Sequence, residues 1–306
     1  MNVLITGGTG FIGGEICNKL LQKGHTIVLL TRINEKVRAD LQKPGISFVP
    51  YDYAEDSILP LDLMRKIDGI INMAGEPIFT GRWTEEKKKR ILDSRLNITR
   101  QLVDCIANLK GKKPQVLVSA SAVGYYGPRN DEEMNEDDQR GSDFLAQVCI
   151  RWEEAALKAT ALGVRTVTLR TGIVLDKGGG ALAQMVPPFK YFVGGTIGSG
   201  KQWFSWIHRE DMTNLYVFAL EDDRLSGPVN ATAPNPVKMS EVSATMGKVL
   251  HRPSWFPIPE FLAKAIMGES AQVVVTGQKA IPKKLLQLKF PYKYTHILKA
   301  LQDSLS

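Results

Sequence analysis

Residues 1–21 read MNVLITGGTGFIGGEICNKLL, and the order of their apolar and glycine positions decides the fold. Val3-Leu4-Ile5 is short, rich in β-branched residues and stops before Gly7, the pattern of a buried strand. From Phe11 the apolar residues fall at Ile12, Ile16 and Leu20-Leu21, a helical spacing that Gly24 ends. A strand, a glycine turn and a helix are therefore expected over residues 2–24. Gly7, Gly10 and Gly13 form G-x-x-G-x-x-G, one residue wider in its first gap than G-x-G-x-x-G. Gly7 permits a tight turn, Gly10 lets backbone approach a pyrophosphate, and Gly13 lets the helix pack on the strand. Free amides at the helix start then face the phosphates. An ordinary tight turn also fits three glycines. The strand before and the helix after supply the context that dinucleotide binding needs.

The alternation continues. His25–Thr31, Ile46–Pro50, Asp68–Met73, Gln115–Ser119 and Val164–Leu169 read as buried strands. A short helix around Glu35–Leu41 and longer helices over Thr84–Leu109 and Ser142–Leu162 separate them. Six strands alternating with helices predict an α/β protein with a Rossmann-like, doubly wound parallel sheet over residues 1–175. Beyond that point Gly178-Gly179-Gly180, Pro187-Pro188 and Gly194-Gly195 interrupt the pattern. Residues 176–306 are expected to form a smaller C-terminal substrate lobe, from which a helix near 209–221 returns to the first domain. Two further helices, near Glu260–Met267 and Thr295–Leu301, belong to that lobe. Ligands of open α/β sheets lie at the strand carboxyl ends, so the lobe is placed to close over a cofactor.

Composition narrows the function classes. The 306 residues are 43% hydrophobic and 23% charged, ordinary values for a globular protein. No run resembles a signal peptide or a bilayer span, and the expected location is cytoplasmic. Cys17, Cys105 and Cys149 lack metal-ligand spacing and read as reduced thiols, so no metal is expected. The net charge of +7 comes from local clusters such as Lys87-Lys88-Lys89-Arg90 and Lys283-Lys284. Without interleaved aromatics for base stacking these are solvated faces, and neither nucleic acid nor membrane is an expected partner. A positive field favours an anionic cofactor.

Several residues carry candidate chemistry. The second strand ends Thr31-Arg32, with Lys36 and Arg38 behind, where an NAD site usually places an acid for the ribose 2′-hydroxyl. A hydroxyl followed by a guanidinium suits a 2′-phosphate, and so NADP(H). Arg95 lies within the apolar stripe of Ile91, Ile98, Leu102 and Ile106. A buried guanidinium requires a partner, which can be a carboxylate elsewhere or a cofactor phosphate. Strand four runs into Met73-Ala74-Gly75, small enough to let a cofactor pass close to backbone. Strand five ends Ser119-Ala120-Ser121, and Tyr125 follows; hydroxyls there can touch a substrate carbonyl or hydroxyl.

The chain resembles an extended, atypical short-chain dehydrogenase/reductase, of the NAD(P)-dependent epimerase-family group with a small C-terminal domain. The likeness rests on GGTGFIG (7–13), TR (31–32), NMAGE (72–76), Trp83 with DSR (93–95) and SASAVGYYG (119–127). It continues through FLAQVCIRWEEAA (144–156), RTGIVLDKGGGAL (170–182), GSGKQWFSWIHREDM (198–212) and GQKAIPKKL (277–285). The resemblance implies NADP(H) held by Gly7, Thr9, Gly10, Phe11, Ile12, Gly13, Thr31, Arg32, Met73, Ala74, Gly75, Arg95, Ser119 and the Val174 backbone. It also turns the Arg95 question toward the cofactor, and implies that the run before His208 walls a pocket above the nicotinamide.

One departure bears on the reaction. Working members of the wider superfamily carry Tyr-x-x-x-Lys on the helix after strand five, the tyrosine moving the substrate proton. Aligning Trp152-Glu153 with that helix puts Leu145 and Cys149 at those positions, and neither can replace the pair. Ser121 and Tyr125 are the remaining catalytic candidates. Two functions follow: an oxidoreductase or epimerase acting on an unidentified small molecule, or a non-catalytic NADP(H)-binding sensor or interaction module with a loose link to cell division.

Overall fold

The computed structural model describes residues 1–32, 41–54, 57–79 and 81–305. Seven strands form its central sheet: β1 (Asn2–Thr6), β2 (Thr26–Thr31), β3 (Ile46–Pro50), β4 (Gly69–Asn72), β5 (Val116–Ala122), β6 (Arg165–Thr171) and β7 (Gly227–Ala231). Every pairing is parallel, and the spatial order is 3-2-1-4-5-6-7. The family of strands is Rossmann-like, as expected. Its direction of winding reverses between β1 and β4, which opens a crevice at their carboxyl ends. Burial on both faces explains why these strands read as continuous apolar runs.

The side-chain period of two divides β1 between two cores. Val3 and Ile5 join Ile16, Leu20, Val118 and Leu215 on the face covered by α1 (Gly13–Gln22). Leu4 joins Ile70, Ile98, Leu102 and Ala156 on the face covered by α2 (Glu85–Ala107) and α3 (Phe144–Leu157). The polar residues preceding these last two helices set their starts. The Thr84 hydroxyl accepts from the Lys87 amide, and Asp143 accepts from the Leu145 and Ala146 amides.

The later part of the chain departs from the expectation in two places. Helix α4 (Gly180–Lys190) contains Pro187 and Pro188, which had marked a break. They sit in its last turn, just before the helix ends at Tyr191. β7, read as GPVNA, is a seventh strand not expected from the sequence, and it tolerates Pro228 because it lies at the sheet edge. Helix α5 (Arg209–Glu221) packs its Met212, Leu215 and Ala219 into the first core beside α1, while α6 (Met239–Leu250), α7 (Glu260–Met267) and α8 (Ile297–Leu305) complete the lobe. Trp206, Phe204, Leu182, Met246 and Leu301 form its core. The helix expected around Glu35–Leu41, with Lys36 and Arg38, lies outside the described residues except for Leu41. Among the described residues no helix is long and apolar enough to cross a membrane, and no His/Cys/Asp/Glu group is arranged for a metal.

Candidate functional site

A cleft of about 520 Å³ opens along the carboxyl ends of β1, β4 and β5, within the usual range for small-molecule sites. Gly7, Gly10, Phe11, Ile12 and Gly13 line one end. Gly7 has φ +72°, and a Cβ there would lie 2.9 Å from the Ala74 nitrogen. The turn therefore presses against the end of β4 as well as reversing the chain. A Cβ on Gly13 would push into the Gly7 carbonyl and sit 2.6 Å from Gly8 Cα, so glycine here lets α1 start directly on the turn. Ile12, the residue before α1, provides no side-chain cap. The Gly10 and Gly14 amides bond the Gly7 and Gly10 carbonyls within the turn, and the glycine-lined start of α1 fits a dinucleotide pyrophosphate.

The end of β4 is fastened from below. Thr6 Oγ1 donates to Asn72 Oδ1 (2.8 Å) and accepts from the Met73 and Ala74 amides, each at 3.1 Å. Asn72 Nδ2 donates to Thr99 Oγ1 (2.8 Å) and to Ser119 Oγ (3.3 Å). Ser119, expected as a cofactor ligand, is fully buried, bonded inside the sheet and absent from the cleft wall. Met73 and Gly75 line the cleft, whereas the Ala74 amide is engaged by Thr6. Thr9, Thr31 and Arg32 stand outside the cleft wall, with Arg32 exposed at the end of β2. Val174 lines the wall next to β6.

Arg95 faces the cleft from α2. Its Nη1 donates to the Ile91 carbonyl (2.7 Å) and the Glu76 carbonyl (3.1 Å), and the guanidinium lies 5.1 Å from the Trp152 ring. Gly75 packs flat beside it: a Cβ there would be 3.0 Å from Arg95 Cζ. Burial pulls its pKa below the ordinary value, with Cys149 and Glu76 partly offsetting this. No described carboxylate lies within ion-pair distance. Of the two partners left open by the sequence, no internal carboxylate pairs with it among the described residues, and the guanidinium borders the cleft.

The two catalytic candidates are relocated. Ser121 lines the cleft, but its hydroxyl donates to Glu153 Oε1 at 2.6 Å. A hydroxyl has one proton, so Ser121 can accept a hydrogen bond but not polarise a carbonyl by donating one. Tyr125 is absent from the cleft wall; its ring packs 3.5 Å from the Arg170 guanidinium. Glu153 and Arg170 form a buried bidentate pair, with Nε–Oε1 and Nη2–Oε2 both 2.9 Å. Burial opposes the charge on Arg170, but Glu153 overrides it and holds the pKa above its ordinary value. Arg170 Nη1 continues to Tyr126 Oη (2.9 Å), whose hydroxyl is tied to Asn230 on β7 (2.7 Å).

Leu145 and Cys149 do face the cleft. A Cβ on Gly124 would lie 3.5 Å from Leu145 Cβ and 3.9 Å from Cys149 Sγ, so the two follow the end of β5. Burial, reinforced by nearby Glu153, pushes the Cys149 thiol up to about 12. It is neither a base nor a cation at neutral pH. Sequence reading missed Tyr216 on α5, which also lines the cleft. The hydroxyls of Ser121, Thr171, Ser205 and Thr276 all bond protein acceptors, whereas none bonds Tyr216 among the described residues. Burial raises its pKa, which keeps the phenol protonated. A tyrosine at helical spacing in α5 carried no distinguishing signal.

The far wall comes from the C-terminal lobe: Trp203, Ser205, Gln272, Val273, Thr276, Gly277 and Gln278. Parallel pairing of Lys279–Ala280 with Glu133–Met134 fastens it to the segment after β5. His208 is outside the wall; its Nδ1 accepts the Glu210 amide and Nε2 lies 3.2 Å from Asp303 Oδ2. Burial lowers its pKa.

A parallel sheet with a glycine turn at its switch point, opening into a cleft at the strand carboxyl ends, defines a dinucleotide-binding fold. The chain belongs to the NAD dependent epimerase/dehydratase family, whose model matches residues 3–231; a domain of unknown function (DUF1731) matches residues 258–304. It is 45% identical to the epimerase family protein SDR39U1 homolog, chloroplastic, of Arabidopsis thaliana, over 99% of this chain and 86% of that protein. The crystal structure of human epimerase family protein SDR39U1 (isoform 2) with NADPH superposes with TM-score 0.87 at 33% identity, covering 99% of both chains. A nucleoside-diphosphate sugar epimerase from Corynebacterium glutamicum superposes with TM-score 0.77 at 32% identity, covering all of this chain and 58% of that one.

Proposed function

We propose that the chain binds NADP(H) in the cleft and uses it as an oxidoreductase or epimerase on a small molecule seated against the C-terminal lobe. The observation that carries the cofactor choice is the end of β2, where Thr31 and exposed Arg32 stand in place of an acid. Arg32 takes the 2′-phosphate, the glycine turn and the start of α1 take the pyrophosphate, and Arg95 supplies a second cation from α2. The human relative crystallised with NADPH supports this assignment. The cofactor, when bound, supplies hydride chemistry. Leu145 and Cys149 line the end of β5 with no group that titrates near neutral pH, and the hydroxyl of Ser121 is committed to Glu153. General acids contribute about 10²–10⁴-fold to rate, so turnover on generic aldehydes and ketones is slow.

Titrating NADPH and NADH into the wild type and Arg32→Ala tests the cofactor choice. A charge-assisted contact is worth about 1.5–3 kcal/mol, or roughly tenfold to over a hundredfold in Kd. NADPH should bind that much more tightly, with the preference lost in Arg32→Ala. Equal affinities in the wild type rule the assignment out.

A further inference from the structure

Beyond the cofactor residues, the cleft wall is short of charge. Pro77, Ile78, Phe79, Val148, Leu145 and Val273 give it an apolar surface. Arg95 and Asp143 are the charged residues among those described in the wall, and Arg95 belongs to the cofactor side next to Gly75. Asp143 commits Oδ1 to the first amides of α3, and its other oxygen is buried beside Gly127. Two cations beside Trp203 in the far wall are already neutralised. Lys238 pairs with Asp131 and Lys279 pairs with Glu133, while both ammonium groups lie over the Trp203 ring. What remains uncommitted is neutral. Gln272 and Gln278 line the cleft, and their side-chain amides bond no described group.

A doubly charged diphosphate placed against such a wall would lose its hydration with no cation to replace it, and one carboxylate would repel it. A neutral molecule with one or two oxygen atoms meets the opposite situation: apolar surface for its body and two amides for its polar end. On the reading that the glycine-turn end holds NADP(H), we infer that the second ligand of the cleft is an uncharged, mainly apolar carbonyl or hydroxyl compound, oriented by Gln272 and Gln278, and not a nucleoside-diphosphate sugar.

The test uses the full-length protein, both cofactor-free and saturated with NADPH, and two probes: 2-acetylnaphthalene as the neutral ketone and UDP-glucose as the charged competitor. Calorimetric titration should show the ketone binding at least about tenfold more tightly than UDP-glucose in both forms. Gln278→Leu should weaken the ketone about fivefold by removing one neutral hydrogen bond. Val273→Asp, which puts a charge in the apolar wall, should weaken it further, with the NADPH affinity of both variants unchanged. Thermal unfolding confirms that each variant is folded. Tighter or equal binding of UDP-glucose overturns the inference, as does ketone binding that is absent or indifferent to both substitutions. Failure of NADPH to bind the wild type is a separate result: it removes the proposed function, while the cofactor-free titration still decides the ligand class.

Discussion

Replacing Arg95 with leucine separates a ligand-directed charge from a structural one. In the free protein the guanidinium makes two bonds to carbonyls, at 2.7 and 3.1 Å, and stacks against Trp152. Losing two such bonds costs on the order of 1–3 kcal/mol. Removing a desolvated cation that has no carboxylate partner returns a comparable amount, and leucine suits the apolar stripe. The net change in the cofactor-free protein should therefore stay within about 1 kcal/mol, or roughly 2–4 °C in Tm for a chain of this size. Cofactor binding should behave differently. A lost charge-assisted contact weakens NADPH by about 1.5–3 kcal/mol, at least tenfold in Kd. Fluorescence titration of NADPH, run beside thermal unfolding of the cofactor-free protein, reads both quantities. An Arg95→Leu protein that binds NADPH normally but melts many degrees lower refutes the reasoning, because the arginine would then be holding the fold.

Glu153→Gln leaves Arg170 buried without its countercharge, so stability should fall by about 3–5 kcal/mol, measured by urea unfolding; a loss under about 1 kcal/mol would mean the pair is better hydrated than its burial implies. The Cys149 thiol ionises at about 12 in the fold against 9.0 ordinarily, so above pH 9 the unfolded chain binds fewer protons than the native one. Its contribution is complete below pH 9 and is lost as pH rises toward 12. Unfolding midpoints should decline over that window, less steeply in Cys149→Ala, and a thiol reagent at pH 8 should leave all three native cysteines unlabelled. Rapid labelling of Cys149 in the folded protein contradicts its packing.

The parts of the fold that were legible in sequence are those where local chemistry and position coincide. Val3-Leu4-Ile5 followed by glycines can only be buried and turn sharply, and Gly13 then has one role. The stripe around Arg95 also exposed its own anomaly, and the Leu145 and Cys149 assignment followed from helix alignment. What could not be read depends on partners far along the chain. Ser121 appeared available until Glu153, 32 residues later, was seen to take its proton. Tyr125 appeared to face a ligand, but Arg170 holds its ring. β7 carries Gly, Pro and Asn, a composition that only an edge position permits. The far wall of the cleft is made by residues 272–278, whose place depends on pairing with Glu133–Met134.

That pairing sets an order of assembly. Lys279 and Glu133 are 146 residues apart, so their contact closes a long loop and gains little until both ends are already shaped. The glycine turn and the end of β4 meet much earlier, within the first 75 residues. A growing chain thus sets the glycine turn against the end of β4 well before the cleft beside it acquires its far wall, so the two sides of one chamber are joined at opposite ends of synthesis.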